Sequence, residues 1–558
     1  METLLDLLDD AVTRFGDRPA LAIREEDGST RAWSYRELDR NSRAAAFRLR
    51  SLGLAPGDRL LTWSPSTPEL PATYFGAMRA GLVLVPLDLR MSAEAIAGIV
   101  ASSGAKHLVL GTGRDAPEPA DVGLGGLPAS TVEEIGGLPV GPDGPGLPLS
   151  VDWEAQVASW PRPQASDLVE LIFTSGTTGT PKGVMLAHDN LLAANRSFHR
   201  IVPPMEHRIV SLLPLSHLLE QAVGVFYALS VGASVLYVRS RNPRVIFEAL
   251  REHRVTSMVV VPQVLDLFWS AIEREVDKSG RTALFARLRA IARRLPVPLR
   301  RLIFRRVHGQ LGGSFRLFMS AGAFLPPALQ QAWEDLGVTV LQGYGATETG
   351  TGSSTTLDDH GLGTVGRPPE GIEMRLAGDG EVQFRGPSLF KGYWHAPEKT
   401  ADAYTDDGWY RTGDVGHFDG QGRLILSGRT KDLIVLPNGF NVYPEDIENA
   451  LRIAGLRDSV VLETRPGRIE AILLAPSDSP IRQAGALDFD PAAPPAELRA
   501  TIDAAVKAAN ASLGPNQHIA GWRLWPESDF PRTHTLKVRR DPVRAWAAAE
   551  VPVTVSTG

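Results

Sequence analysis

The chain has 558 residues, more than one hydrophobic core usually supports, so at least two domains are expected. Hydrophobic residues make up 43% and charged residues 22%, as in ordinary globular proteins, and the formal net charge of -6 argues against a general nucleic-acid-binding protein. The chain contains 0 cysteines, which excludes disulfides, thiolate metal sites and an acyl group carried on the protein's own thiol.

Helical and strand patterns alternate from the N-terminus onward. Apolar spacing predicts helices over Asp6 to Arg14 and Tyr35 to Leu52, and the stretches LLTWS (60–64) and LVLVPLD (82–88) predict short buried strands. This alternation is typical of layered α/β folds. The first residues are acidic and amphipathic, unlike a signal peptide, and no run of about 18 uncharged apolar residues occurs, so we expect a cytoplasmic protein.

The stretch from Gly111 to Pro163 is rich in glycine and proline. This composition predicts a surface excursion between sheet elements. For the middle of the stretch, a disordered insertion is the alternative.

A dense set of glycines and hydroxyl residues follows the next predicted strand, Leu168 to Phe173, within LIFTSGTTGTPKGVMLAH (171–188). Glycines let the backbone approach an anion, hydroxyls donate to phosphate oxygens, and Lys182 adds a positive charge. The segment is not a Walker A loop, because the order Gly-Lys-Ser/Thr is absent. It predicts a phosphate-binding loop of another kind; the alternative is a polar hairpin.

Nine arginines and no acidic residue occur from Arg281 to Arg306, interleaved with apolar residues. A basic amphipathic helix of this kind can lie on an anionic membrane surface. The alternative is a solvated helix face.

Further on, GLGTVG (361–366) matches the dinucleotide-binding pattern GxGxxG, but no strand pattern precedes it and Arg-Pro-Pro follows it, so we reject that function.

The character of the chain changes near SGRTKDLIVLPNG (427–439), after which a short α/β pattern and a basic end follow. We predict an α/β fold with a large N-terminal domain of layered α/β subdomains, residues 1–430, and a small mobile C-terminal α+β domain, residues 431–558.

Seven motifs in a fixed order resemble the adenylate-forming superfamily, which includes acyl-CoA synthetases, peptide-synthetase adenylation domains and firefly-type luciferases. Besides the phosphate loop they are LLPLSHLLE (212–220), SAGAFLPP (320–327), LQGYGATETG (341–350), WYRTGDVG (409–416), SGRTKDLIVLPNGFNVYPEDIE (427–448) and PRTHTLKVRR (531–540). The resemblance covers nearly the whole chain. It implies an enzyme that activates a carboxylic acid as its acyl-AMP.

The resemblance also implies roles for individual residues. Tyr344 would stack on adenine, Thr347 would bond the α-phosphate, and Glu348 would hold Mg²⁺ with Thr174 as a second metal contact. Asp414 would bind the ribose, and Arg429 would assist at the ribose and phosphate. The other implied ATP or AMP contacts are Ser175, Gly176, Thr177, Thr178, Gly179, Lys182, Gly322, Ala323, Gln342, Gly343, Gly345 and Ala346.

In the same way, Lys537 matches the catalytic lysine that bridges the attacking carboxylate and the α-phosphate. Leu536 stands before it where many members have glycine. Lys431 matches the hinge between two half-reactions, and Gly439 would line the entrance for the coenzyme A arm. His217 is expected at the acyl pocket, with a buried structural histidine as the alternative.

The motifs are most similar to those of long-chain fatty acyl-CoA synthetases, which implies a medium- to long-chain fatty acid, ATP, Mg²⁺ and coenzyme A as reactants and no nucleic-acid partner. Fatty acyl-AMP ligases that pass the acyl group to a carrier protein are one alternative, but the insertion they carry before the hinge is absent between Trp409 and Asp446. A non-catalytic protein that binds a nucleotide or acyl-AMP is the other. Intact Glu348, Asp414, Arg429 and Lys537 argue against it.

Overall fold

The computed structural model describes residues 1–25, 27–113, 116–118, 124, 126–137, 147–174, 181–240, 242–438, 440–456, 458–476, 487–532 and 538–549. The chain divides into two compact units. The first comprises Met1–Met374 and Phe384–Arg411, and the second comprises Arg375–Gln383 and Thr412–Gly558. The domain boundary between residues 430 and 431 stays a prediction.

The strands in the described part of the chain are β1 (Pro19–Arg24), β2 (Thr30–Ser34), β3 (Arg59–Trp63), β4 (Val83–Pro86), β5 (His107–Leu110), β6 (Ala129–Thr131), β7 (Leu168–Thr174), β8 (Lys182–Ala187), β9 (Arg208–Ser211), β10 (Ser234–Val238), β11 (Ser257–Val260), β12 (Leu317–Ser320), β13 (Thr339–Tyr344), β14 (Ser353–Ser354), β15 (Glu373–Leu376), β16 (Glu381–Arg385), β17 (Tyr410–Phe418), β18 (Leu424–Arg429), β19 (Ile434–Val435), β20 (Asn441–Val442), β21 (Ser459–Arg465), β22 (Arg468–Leu473) and β23 (Gly521–Leu524).

The α-helices of the same residues are α1 (Leu4–Phe15), α2 (Tyr35–Ser51), α3 (Glu69–Arg79), α4 (Ala93–Ser103), α5 (Val132–Gly136), α6 (Trp153–Ala158), α7 (His188–Ile201), α8 (Leu218–Gln221), α9 (Ala228–Val231), α10 (Pro243–Glu252), α11 (Pro262–Lys278), α12 (Thr282–Ala292), α13 (Val297–Ile303), α14 (Arg305–Gln310), α15 (Pro327–Asp335), α16 (Pro397–Asp402), α17 (Pro444–Ile453), α18 (Ala496–Ser512) and α19 (Arg540–Ala549). A π-helix spans Ala222–Tyr227, and 3₁₀ turns span Thr430–Asp432 and Pro515–Gln517.

Two large sheets form the first unit. The eight-stranded sheet has the order β14–β13–β12–β11–β9–β10–β1–β2, and its inner strand pairs are parallel while β2 and β14 are antiparallel to their neighbours. The six-stranded sheet has the order β6–β5–β3–β4–β7–β8, with only its edge strand β8 antiparallel. Strand β4, VLVP, is buried throughout, as a run of apolar residues inside a parallel sheet requires. The predicted strands at 60–64, 82–88 and 168–173 are therefore confirmed.

The first two helices show why the sequence folds as predicted. Helix α1 begins at Thr3, whose hydroxyl accepts from the Asp6 N–H while the Asp6 carboxylate accepts from the Thr3 N–H. Helix α2 begins in the same way at Ser34, with Glu37 as the reciprocal partner. This capping box satisfies N–H groups that have no partner inside the helix. The helices predicted over 6–14 and 35–52 are confirmed.

The main core of the first unit lies on the eight-stranded sheet, under α10, α11 and α15. Its centre is the pair Phe318 and Trp333, both fully buried, with ring centroids 4.9 Å apart in an edge-to-face arrangement. A second core packs α4 on the six-stranded sheet. Both cores keep the carboxyl ends of the parallel strands at fixed positions.

The second unit has its own small sheet, of order β21–β22–β23, with α17 and α18 packed on a separate apolar core. Further sheets have the orders β19–β20 and β15–β16–β17–β18. Layered α/β sheets together with a small C-terminal unit confirm the predicted fold class. Among the described residues, no helix is both long and apolar enough to cross a lipid bilayer.

Two stretches differ from the prediction. The arginine-rich segment is three helices, α12, α13 and α14, rather than one, because Pro296 and Pro298 cannot continue the backbone hydrogen bonds of α12. The glycine- and proline-rich stretch from 111 to 163 is not wholly irregular: it contributes β6 to the edge of the six-stranded sheet, followed by α5 and α6. Its middle, 138–146, lies outside the described residues.

Candidate active site

Two parallel strands of the eight-stranded sheet end side by side at the candidate site. Ser320 on β12 pairs with Gln342 on β13, so the segments after these residues leave the same edge of the sheet. Gly322 and Ala323 follow β12, and both are exposed. Gly322 has a φ of +84°, which a side chain would strain. The carboxyl edge of parallel strands is where α/β sheets bind ligands.

The segment after β13 turns sharply. Tyr344 is half-buried beside Phe384, with ring centroids 5.9 Å apart, and Gly345 and Ala346 are exposed. The Ala346 N–H donates to the Thr349 hydroxyl at 2.9 Å, and the Gly350 N–H donates to the Ala346 carbonyl at 3.1 Å. The turn places the Tyr344 ring at the sheet edge, where it suits stacking on a nucleotide base.

The same turn directs Thr347 and Glu348 in different directions. Thr347 is partly exposed, whereas Glu348 points inward and is only 9% exposed. The Tyr393 hydroxyl donates to Glu348 Oε1 at 3.0 Å, and the Phe390 N–H donates to the Glu348 carbonyl at 2.8 Å. Glu348 is therefore held by both its side chain and its backbone.

The predicted phosphate loop joins β7 and β8 of the other large sheet. Thr174 at the end of β7 pairs with Lys182 at the start of β8. The loop residues Ser175, Gly176, Thr177, Thr178 and Gly179 lie outside the described residues. Lys182 Nζ lies 4.9 Å from the centroid of the Tyr393 ring, and Tyr393 also contacts Glu348. The fold thus brings the phosphate-loop lysine and the candidate magnesium ligand to one tyrosine.

Sequence reasoning did not identify Tyr393. It lies in the stretch FKGYW (390–394), which contains three aromatic residues and one glycine. This local composition is the sequence signal that could have drawn attention to it.

The carboxylate at this part of the site, Glu348, suits a magnesium ion that arrives with phosphate groups. No group of three or more His, Cys, Asp or Glu side chains placed to hold a metal occurs in the described part of the chain. Mg²⁺ typically keeps several waters and is bound by one or two carboxylates plus substrate phosphates. A single buried carboxylate, Glu348, held by Tyr393 fits this mode of binding.

A small apolar cavity, of about 40 Å³, lies beside the nucleotide segments. Ala321 and Gly343 line it at the strand ends. Its apolar lining comes from the end of α7, the α8–π-helix segment, β12 and β13: Phe198, Ile201, Val202, Leu219, Val223, Met319 and Leu341. Its apolar lining suits hydrocarbon atoms next to a nucleotide-bound carboxyl, although its volume is well below that of a typical ligand pocket.

His217 stands just before α8. Its Nε2 atom lies 2.8 Å from Oδ2 of Asp88, a side chain that is 1% exposed and also accepts from Arg90. Burial alone would raise the pKa of Asp88, but hydrogen bonds from His217 and Arg90 outweigh it and hold that pKa well below its usual range. His217 does not itself line the apolar cavity, although Leu219, two residues on, does. Its acyl-pocket role stays a prediction.

In the second unit, Asp414 and Arg429 are cross-strand partners on β17 and β18. Arg429 Nε lies 3.0 Å from Asp414 Oδ1, and the Thr412 hydroxyl accepts from the Asp414 N–H at 3.0 Å. Lys431 follows in an exposed 3₁₀ turn. A carboxylate and a guanidinium are thus presented together on one strand pair, immediately before the predicted hinge.

Lys537 and Gly439 lie outside the described residues, but both flanks of the Lys537 segment are described. Arg532 and Val538 pair as an antiparallel bridge, and the Arg539 N–H donates to the Pro531 carbonyl at 2.8 Å. Arg532 Nη2 also lies 2.7 Å from Asp458 Oδ2. The two ends of the 533–537 segment are therefore anchored together.

The sequence profile of the family described as AMP-binding enzyme matches residues 8–394. The long-chain-fatty-acid–CoA ligase FadD15 of Mycobacterium bovis is 31% identical over 548 residues, which cover 91% of this chain and 90% of that protein. The feruloyl-CoA synthase of an Amycolatopsis species is 29% identical over 482 residues, covering 82% and 86%. ATP-bound MatB from Rhodopseudomonas palustris has a TM-score of 0.72 at 24% identity, covering 98% and 99%, and shares the fold.

The profile spans more than half of this chain, and the FadD15 relative matches along nearly its full length. These matches confirm the predicted superfamily and the class of AMP-forming acid–thiol ligases. The chain belongs to the AMP-binding enzyme family.

Proposed function

We propose that the chain activates a medium- to long-chain fatty acid with ATP and Mg²⁺ and transfers the acyl group to coenzyme A. The observation that supports this most is the apolar cavity, which ends at Ala321 and Gly343 beside the nucleotide segments. A carboxyl group at that end, with the first carbons of its chain against the apolar lining, would lie next to the turn that bears Thr347 and Glu348. The name of the FadD15 relative agrees with a long-chain substrate.

The reaction has two steps because a carboxylate is a poor electrophile. In the first step a carboxylate oxygen forms a bond to the α-phosphorus of ATP, and the bond to the leaving pyrophosphate breaks. In the second step a thiolate attacks the acyl carbonyl and AMP leaves. Magnesium, when bound, neutralises charge on the phosphates.

Individual roles follow for the protein's own residues. Thr347 donates to the α-phosphate, Lys182 adds positive charge at the phosphates, and Glu348 is the carboxylate for magnesium. Asp414 accepts from the ribose hydroxyls beside Arg429.

Three roles concern the sequence of steps. Lys537 stabilises charge in the first step, Lys431 serves as the hinge, and Gly439 leaves room for the thiol-bearing arm in the second.

A panel of fatty, aryl and amino acids tests the substrate, with AMP release measured with and without coenzyme A. Fatty acids of eight carbons or more should give the highest kcat/KM, because each buried methylene adds roughly 0.8 kcal/mol of transfer free energy. A preference for aryl acids would contradict the fatty-acid assignment and leave the ligase class intact. Acyl-AMP that accumulates with coenzyme A present would instead support a carrier-protein acceptor. ATP–pyrophosphate exchange with no response to any acid would support a non-catalytic binding protein.

We also propose a peripheral membrane contact through the arginine-rich surface, defined as the exposed side chains of residues 281–306, which span α12, α13 and the start of α14. Its apolar members are Leu284, Ile291, Val297, Leu299 and Leu302, the last 63% exposed. Five exposed arginines among them form no ion pair with any described residue: Arg281, Arg287, Arg294, Arg305 and Arg306. Unpaired cations around exposed apolar side chains complement an anionic lipid headgroup layer.

Co-sedimentation with vesicles tests this contact. Binding should require anionic lipid and should weaken when Leu302→Asp and Arg305→Glu are introduced. Ile453→Asp is the matched control, because Ile453 is equally exposed, at 65%, but lies on α17 of the second unit. Equal binding to neutral vesicles, or an equal effect of the control, would contradict the proposal.

A further inference from the structure

We infer that Tyr393 is a positioning residue that holds the Glu348 carboxylate and the Lys182 ammonium in place for the magnesium–triphosphate group. This inference rests on the proposed function. It adds a residue that takes no part in bond making and instead sets the arrangement of two groups that do bind the nucleotide.

Two contacts of the Tyr393 side chain carry this role, beside its packing against Phe390 and a hydrogen bond with Tyr410. Its hydroxyl donates to Glu348 Oε1 at 3.0 Å, and the face of its ring lies 4.9 Å from Lys182 Nζ. Tyr393 is 7% exposed and Glu348 is 9% exposed, so neither contact is a passing surface encounter. One side chain therefore fixes a cation through its ring and an anion through its hydroxyl.

The backbone around Tyr393 explains why its side chain can do this. The segment 390–394 is hydrogen-bonded to β8 on one side. The Met185 N–H donates to the Gly392 carbonyl, the Lys391 N–H to the Met185 carbonyl and the Trp394 N–H to the Gly183 carbonyl, at 2.8 to 3.0 Å. On the other side, the Phe390 N–H donates to the Glu348 carbonyl. The segment thus ties the strand after the phosphate loop to the turn after β13.

Gly392 is required for this close approach. Its φ is +130°, and a Cβ there would lie 2.9 Å from Thr400 Cγ2 and 3.3 Å from Met185 Cε. The glycine therefore lets Tyr393 sit against both β8 and Glu348.

The two contacts have separable consequences. A hydrogen bond that orients a metal-ligating carboxylate typically changes metal affinity by about 10- to 100-fold when removed. The ring contact acts on Lys182, which attracts phosphate whether or not magnesium is present. Loss of the hydroxyl should therefore weaken nucleotide binding only when Mg²⁺ is present. Loss of the ring should weaken nucleotide binding both with and without Mg²⁺.

Isothermal titration calorimetry of the full chain with α,β-methylene-ATP, with and without Mg²⁺, separates these effects. Tyr393→Phe should weaken binding in Mg²⁺ by about tenfold and leave metal-free binding unchanged. Tyr393→Leu should weaken both. Tyr404→Phe is the matched control, because Tyr404 belongs to the same aromatic cluster but its hydroxyl donates to the Phe390 carbonyl, at 3.5 Å.

The outcomes distinguish this inference from the proposed function. A wild-type chain whose nucleotide affinity does not respond to Mg²⁺ would overturn the proposed role of Glu348 itself. A magnesium-responsive wild type with an unchanged Tyr393→Phe variant would overturn only the positioning role. If Tyr393→Phe weakens binding equally with and without Mg²⁺, the tyrosine has a general structural role, and the positioning role is overturned as well. Thermal unfolding of each variant shows whether that variant is folded.

Discussion

Glu170 and Glu220 have no part in the proposed reaction, yet both are fully buried in the first unit. Glu170 Oε2 accepts from Gln221 Nε2 at 3.1 Å. Burial raises the pKa of Glu170 to about 7, against the opposing hydrogen bond from Gln221, and raises the pKa of Glu220 to about 8. Both carboxyls therefore keep their protons in the folded state well above pH 4.5.

These shifts predict a loss of stability with rising pH. The unfolded chain releases these protons near pH 4.5 and the folded chain near pH 7 to 8, so the free energy of unfolding falls between those values and is level above them. Glu220→Gln should flatten this slope and stabilise the protein at pH 8 by about 2 kcal/mol. Urea unfolding at several pH values measures it.

Glu37→Gln is the control for that series, because Glu37 caps α2 at the surface. A pH slope that stays the same in Glu220→Gln would contradict the burial argument.

Among elements, the antiparallel bridge between Arg532 and Val538 matters most for the proposed reaction, since it joins the two flanks of the segment that contains Lys537. Arg532 bridges Asp458 and Asp529, each at 2.7 Å. Arg540 at the start of α19 likewise lies 2.7 Å from Glu448, a buried side chain of α17. Ion pairs thus hold both flanks of the lysine segment to the second unit.

Replacing Arg532 by Ala should destabilise the second unit by about 1–3 kcal/mol, because Asp458 loses its shorter ion pair and keeps only Arg452, at 3.2 Å. It should also lower the rate of acid-dependent ATP–pyrophosphate exchange several-fold. Arg544→Ala is the control, since its partner Asp541 is 80% exposed. Unfolding monitored by tryptophan fluorescence gives the stability, and unchanged exchange in folded Arg532→Ala would contradict the anchoring role.

Local sequence patterns predicted elements better than they predicted side-chain contacts. Capping boxes and the spacing of apolar residues predict α1, α2 and β4 from the sequence, because both patterns involve only residues a few positions apart along the chain. Tyr393 and Glu348 are 45 positions apart, and His217 and Asp88 are 129 apart, so tertiary packing alone brings them together. The motifs predicted Tyr344, Thr347 and Glu348 as nucleotide-site residues. No local pattern, however, indicated that the side chain of Tyr393 would contact Glu348.

For the whole molecule, the two half-reactions provide the clearest test of a division of labour between the units. Lys537→Ala should reduce acid-dependent pyrophosphate exchange by at least 100-fold, because the proposed role of the lysine is to stabilise charge in the first step only. Thioester formation from supplied acyl-AMP and coenzyme A should remain within a few-fold of wild type. Equal loss of both activities would contradict separate roles for the two steps.

The π-helix Ala222–Tyr227 contributes Val223 to the wall of the apolar cavity. A π-helical turn holds one residue more than the α-helical turns on either side of it. Removing a single residue from it would rotate α8 by about 100° relative to α9, because each residue of an α-helix turns the chain by that angle. A one-residue deletion there would therefore turn Leu219 on α8 relative to the rest of the cavity wall, and it would reshape the cavity more than exchange of a single side chain.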